Sequence, residues 1–201
     1  MRIRIIPILA VFAISGCTGD NDAPPVSTTT TTSPPATSQD SRPTSAPEVT
    51  DPIDLRSFHA TPCATLTPEQ QQQVGFNQYD PVDHESSNSE FGVCVWRHNP
   101  QPATDANYGY RLMLNVSGDP LAEAYAASDD RGTWAVFEPR QIRGLPAVVR
   151  SLTAPDDQCE VIVGTGNGQG ITISGTIAAS DPDLCDRFTT AAEWVVDAVR
   201  V

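Results

Sequence analysis

Cys159-Glu160-Val161-Ile162-Val163-Gly164-Thr165-Gly166-Asn167-Gly168-Gln169-Gly170-Ile171-Thr172-Ile173-Ser174-Gly175-Thr176-Ile177 is the stretch that sets the fold. Residues 159–163 and 171–177 are short runs rich in β-branched side chains, each of strand length. Four glycines and Asn167 lie between them, the residue types that a tight chain reversal uses. Strands joined this closely pair antiparallel. Glycine-rich runs also cradle phosphates, but there a helix N-terminus follows and, in the Walker type, a lysine. Here a strand follows and the chain has no lysine, so residues 164–170 read as a flexible hairpin turn.

Further strands are expected upstream. Tyr108, Tyr110, Leu112, Leu114 and Val116 alternate with polar or small residues, the pattern of a half-buried strand. Phe91–Arg97 reads as another, with Cys94 and Trp96 on one face, and residues 134–137 and 145–150 as two more. Residues 80–90 read as a polar loop. Thr67-Pro68-Glu69-Gln70 opens a helix with a capping box and Pro at its first position, and Gly75 closes it. Pro120–Ala127 is a short helix. Asp181-Pro182 caps a last helix, in which Leu184, Phe188, Ala191, Val195 and Val199 recur at helical spacing. The expectation is an α+β fold: an antiparallel sheet of about six strands with helices packed on one face.

The N-terminus carries an address. Arg2 and Arg4 precede an apolar run of about ten residues, half of what a membrane-spanning helix needs. The run ends in Ile14-Ser15-Gly16-Cys17, the layout of a bacterial lipoprotein signal, with cleavage between Gly16 and Cys17 and lipidation on Cys17. A diacylglyceryl group supplies two acyl chains of the palmitate class, a stable anchor without a transmembrane helix. Residues 1–16 are therefore expected to be the signal peptide. Residues 17–55 are expected to be the lipidated cysteine and a disordered Ser/Thr/Pro-rich tether, and residues 56–201 a single domain. Threonines 28–32 and the pairs Pro24-Pro25 and Pro34-Pro35 typify the tether, which cannot bury enough apolar surface to offset chain entropy.

The formal charge of −13 argues against nucleic acid and against docking on anionic lipid. Every basic residue is arginine, which excludes Schiff-base and Walker-type lysine chemistry. With Cys17 lipidated, Cys63, Cys94, Cys159 and Cys185 remain, an even set that reads as two disulfides in an exported chain. Of three connectivities, Cys63–Cys94 with Cys159–Cys185 is expected, because each bridge ties a helix terminus to a nearby strand. Zinc is the rival use of four cysteines, but none is spaced as CxxC.

The order Pro62-Cys63-Ala64-Thr65-Leu66-Thr67-Pro68-Glu69, Gly92-Val93-Cys94-Val95-Trp96, Gly144-Leu145-Pro146-Ala147, Cys159-Glu160-Val161 and Asp183-Leu184-Cys185 resembles the DUF3558 family of actinobacterial lipoproteins, whose function is unknown. The resemblance covers roughly residues 55–200. It implies location, disulfides and fold class, and supplies no catalytic residue. The shape is also similar, as fold-level analogy, to extracellular sensor domains of mycobacterial Ser/Thr kinases, which are disulfide-stapled α+β units.

Chemistry-bearing clusters are few. Asp80, Asp83, His84 and Glu85 offer oxygen and nitrogen ligands, but fit no calcium-loop spacing and run into Ser86-Ser87-Asn88-Ser89. No Gly-x-Ser-x-Gly elbow exists, and the sequence around His59 and His98 marks out no catalytic partner for either. Arg140, Arg143 and Arg150 are the basic concentration of the folded part, read as partners of surface carboxylates. Trp96, Trp134 and Trp194 read as core or core-edge residues. The sequence therefore points to no catalytic residue, metal or cofactor. The expected role is a non-catalytic binding or sensing module, lipid-anchored on the extracytoplasmic face of the cell membrane, engaging an envelope protein or a small-molecule ligand. A structural partner in an envelope complex and a small cell-envelope hydrolase are the alternatives.

Overall fold

The computed structural model describes residues 45–77, 80–85, 90–97, 109–128, 134–153, 157–177 and 181–200. Gly16, Cys17, His98, Tyr108 and residues 18–44 of the expected tether lie outside them. Among the described residues, seven strands form one sheet: β1 Val82–Glu85, β2 Phe91–Arg97, β3 Gly109–Asn115, β4 Val136–Ile142, β5 Leu145–Ser151, β6 Gln158–Gly166 and β7 Gln169–Thr176. The helices are α1 Pro68–Gln73, α2 Pro120–Ala127 and α3 Leu184–Val199, with a 3-10 turn at Pro62–Thr65. The sheet order is β1-β2-β3-β7-β6-β5-β4, and every neighbouring pair is antiparallel. Two meanders, β1–β3 and β4–β7, thus meet where β3 pairs with β7.

The strands run further into the glycine-rich segment than expected. β6 continues to Gly166 and β7 resumes at Gln169, leaving Asn167 (φ 55°) and Gly168 (φ 67°) as a two-residue turn. Arg143 (φ 51°) and Gly144 (φ 80°) close β4 on β5 in the same way. Two-residue hairpins favour positive φ at both positions because that backbone twist matches the strands. Gly164 and Gly170 have a different role. A Cβ at Gly170 would lie 2.5 Å from Pro120 Cγ, and one at Gly164 2.8 Å from Leu121 Cδ2. These glycines make the floor on which α2 begins.

The additional strand is β1, in the segment expected to be a loop. It is a short edge strand whose Val82, Asp83 and His84 are all exposed, so no apolar alternation marks it. Asp83 instead accepts a hydrogen bond from the Cys63 N–H at 2.8 Å, tying β1 to the 3-10 turn.

α3 fills one face of the sheet. Leu184, Phe188, Ala191, Ala192, Val195, Val196 and Val199 are buried in one core with the cross-strand row Cys94, Leu112, Ile173, Val161 and Val149. Each fully buried aliphatic or Phe side chain contributes about 1.5–3 kcal/mol. Phe76 stacks on Tyr110 at 4.6 Å and meets Phe188 edge-on at 5.7 Å. The Trp96 indole N–H donates to Gln71 Oε1 (3.1 Å), and Gln71 Nε2 donates to the Leu66 carbonyl (2.9 Å). The capping box of α1 is formed: the Gln70 N–H donates to Thr67 Oγ1, and the Thr67 N–H to Gln70 Oε1. α3 itself starts at Leu184 with Asp183 as N-cap. Asp181 braces the preceding turn, accepting from the Asp183 N–H and pairing with Arg187.

α2 departs from the expectation that all helices share one face. It follows β3 and leads to β4 at the far edge, and it packs on the opposite face through Leu121, Ala124 and Tyr125 against Phe137, Val148 and Ile162. Tyr125 meets Phe137 edge-on at 5.3 Å, and burial pushes the Tyr125 hydroxyl pKa up. The chain order dictates the placement: joining the two meanders requires a crossing over the sheet, and α3 occupies the other face.

The tether was expected to run through residue 55, yet residues 45–55 are folded onto the domain. Ile53 and Leu55 are buried and Val49 packs against the main core. The Ile53 N–H donates to the Thr165 carbonyl (2.8 Å) and the Leu55 N–H to Gln169 Oε1 (2.8 Å). Gln169 Nε2 donates to Asp54 at 3.2 Å. That bond and the Arg56 N–H, the larger cause, hold the Asp54 carboxyl below its ordinary value of 3.8. Ser45, Pro47, Thr50 and Pro52 continue the composition of the tether, but three well-spaced apolar side chains, Val49, Ile53 and Leu55, suffice to dock the segment. Gln169→Leu should leave the Leu55 N–H buried without an acceptor, a loss of about 1–3 kcal/mol. Hydrogen exchange should show Leu55 losing protection while β6 keeps its own. Unchanged exchange at Leu55 would refute this account of the docking.

The two disulfides are Cys63–Cys94, joining the 3-10 turn to β2, and Cys159–Cys185, joining β6 to the first turn of α3. This is the expected pairing.

Candidate ligand-binding groove

The face that carries α2 also carries a groove of about 580 Å³. Its floor is one cross-strand row: Val95 of β2, Arg111 of β3, Ser174 of β7, Glu160 of β6 and Arg150 of β5 are successive partners in the register. Trp134, just before β4, forms a wall. Side chains alternate faces along a strand, so each member of the row is the neighbour of a core residue: Arg111 of Leu112, Glu160 of Val161, Arg150 of Val149. The buried face therefore dictates what the groove displays.

Arg150 and Glu160 form a close, partly buried ion pair, with side chains 16% and 25% exposed. The Arg150 guanidinium also sits 4.2 Å from the centre of the Trp134 ring, a cation–π contact that fixes the indole. The Trp134 N–H is buried without a partner among the described residues. Arg111 is exposed and has no carboxylate partner among the described residues. At the rim, Ser151 Oγ donates to the Gln158 carbonyl at 2.8 Å.

The other clusters singled out in the sequence do not assemble in this way. Arg140 pairs with Glu138, Arg143 with Glu193 and Asp197, and Arg150 with Glu160, so the basic concentration is dispersed among separate carboxylates. Asp83 and His84 are consecutive strand residues on opposite faces. Asp83 does lie close to the Cys63 and Cys94 sulfurs, but those sulfurs are bonded to each other and offer no thiolate to a metal. His59 lies above β2, its carbonyl over Gly92, on the face opposite His84. Trp96 and Trp194 belong to the main core, as expected, whereas Trp134 also serves the groove. Arg111 and Glu160 as site residues escape sequence reasoning, because a cross-strand row exists only once the register of five strands is known.

The fold and groove define a disulfide-stapled α+β domain with one face closed by α3 and the other partly open. The chain belongs to the family described as "Protein of unknown function (DUF3558)", whose model matches residues 12–198, in agreement with the ordered cysteines. No curated protein matches the sequence. No helix among the described residues is long and apolar enough to cross a membrane.

Proposed function

We propose that this protein is a lipid-anchored lipoprotein on the extracytoplasmic face of the cell membrane, and that its domain is a non-catalytic module that binds a ligand in the outer-face groove. The groove is the observation that carries the binding role. It combines a fixed aromatic wall, an arginine with no carboxylate partner among the described residues and a neutralised ion pair in a volume typical of small-molecule sites, roughly 300–1,000 Å³. The location is supported by Ile14-Ser15-Gly16-Cys17 and by two disulfides, which persist in oxidising compartments.

In a host that processes lipoproteins, the protein should incorporate an alkyne-palmitate label and partition into the detergent phase. Cys17→Ala should lose the label and move to the aqueous phase; a labelled Cys17→Ala protein would overturn the anchor assignment. For the binding role, native mass spectrometry of protein recovered from membranes should show a small-molecule adduct that Ser174→Trp, which fills the groove, lacks. An equal adduct on both would place binding elsewhere, and a stoichiometric polypeptide instead would favour the assembly role.

A further inference from the structure

We propose that the groove selects a small organic anion with a flat or apolar body, an inference that rests on the groove being a binding site. Charge carries the argument. The chain is strongly acidic, and the arginines of β4, β5 and the β4–β5 turn are each held by a carboxylate. Arg111 of β3 has no carboxylate partner among the described residues. Glu160, the carboxylate next along the row after Ser174, is committed to Arg150. Among the described residues, the groove therefore carries one positive charge without a carboxylate partner, on a strongly acidic protein. A guanidinium in that position offers a planar fork that matches a carboxylate or other oxyanion, and the Ser174 hydroxyl lies beside it in the register.

The body of the ligand follows from the remaining lining. Val95 flanks Arg111 on the side away from Ser174, and Trp134 is immobilised by Arg150. A fixed indole gives a flat apolar group a surface that loses little freedom when the ligand arrives. A volume of about 580 Å³ suits a molecule of one or two rings.

The probes are 2-naphthoate and its uncharged isostere 2-naphthamide, dialysed to equilibrium against the full chain in micelles with protein-free micelles as blank. Naphthoate should bind about tenfold more tightly, the effect of one charge-assisted pair. Arg111→Gln should bring naphthoate down to the naphthamide level. Arg200→Gln, which removes an exposed charge at the end of α3, should change neither affinity. Trp134→Leu should weaken both probes. Equal affinities in the native protein, or an Arg111→Gln variant that still prefers naphthoate, would overturn the anion assignment and leave the groove a binding site. No saturable binding of either probe would remove the groove as a ligand site, and the binding reading with it.

Discussion

Gly92→Ala is expected to destabilise the domain by about 3 kcal/mol or more, the upper end of what overpacking a core costs. Gly92 lies in β2, paired with Glu85 and Leu114, and the His59 carbonyl passes directly above it. A Cβ built there would stand 1.8 Å from that oxygen and 2.7 Å from the carbonyl carbon. The obstacle is backbone, so no rotamer change relieves it. Either the turn before Pro62 lifts, pulling on Cys63–Cys94, or β2 shifts in the sheet. At roughly 2–4 °C per kcal/mol for a domain of this size, the midpoint should fall by about 6–12 °C. Gly144→Ala is the comparison. Nothing lies within 4 Å of its Cβ, so only the left-handed backbone at φ 80° opposes it, about 1–2 kcal/mol. Thermal unfolding followed by circular dichroism separates the two. A Gly92→Ala midpoint no lower than that of Gly144→Ala would contradict the placement of His59 over β2.

Removing the disulfides should have the largest effect. The bonded cysteines are 31 and 26 residues apart, and in the chain-entropy model each closure is worth about 3.5 kcal/mol. Cys159→Ala with Cys185→Ala should lower the unfolding free energy by that amount while leaving the native fold, because α3 retains its buried apolar stripe. Loss of both bridges should cost about 7 kcal/mol, comparable to the whole stability of a typical domain, 5–15 kcal/mol. The fully reduced chain should therefore be largely unfolded at 37 °C. Urea titrations of each double variant, and of the native chain with and without reductant, provide the measurement. A cost below about 1 kcal/mol for each bridge would show that packing alone holds these elements in place.

The features legible in the sequence were those written in local chemistry. The glycines and Asn167 of residues 164–170 announce a hairpin because few residue types accept the positive φ of its turn, although the strands extend into that segment as far as Gly166 and Gln169. Thr67-Pro68-Glu69-Gln70 encodes the start of α1, and the stripe from Leu184 to Val199 encodes the buried face of α3. β1 was hidden because an exposed edge strand needs no apolar alternation. The side of the sheet taken by α2 was hidden because it depends on where β4 pairs, at the sheet edge with β7, β6 and β5 between it and β3. The groove was the least legible part. Val95, Arg111, Ser174, Glu160 and Arg150 are scattered over 80 positions and become a row only through four separate strand pairings.

Cys63–Cys94 also determines how the domain bears force. Tension applied from the N-terminal side first meets the docked segment at Val49, Ile53 and Leu55, held by side-chain packing and a few hydrogen bonds, and can peel it residue by residue. At Cys63 the load reaches a covalent branch. It passes through the sulfur bridge into Cys94, in a strand paired on both sides, and bypasses the intervening chain with α1 and β1. Once peeled to that point, the domain can yield no slack from residues 64–93, and further extension requires β2 to be torn from the sheet.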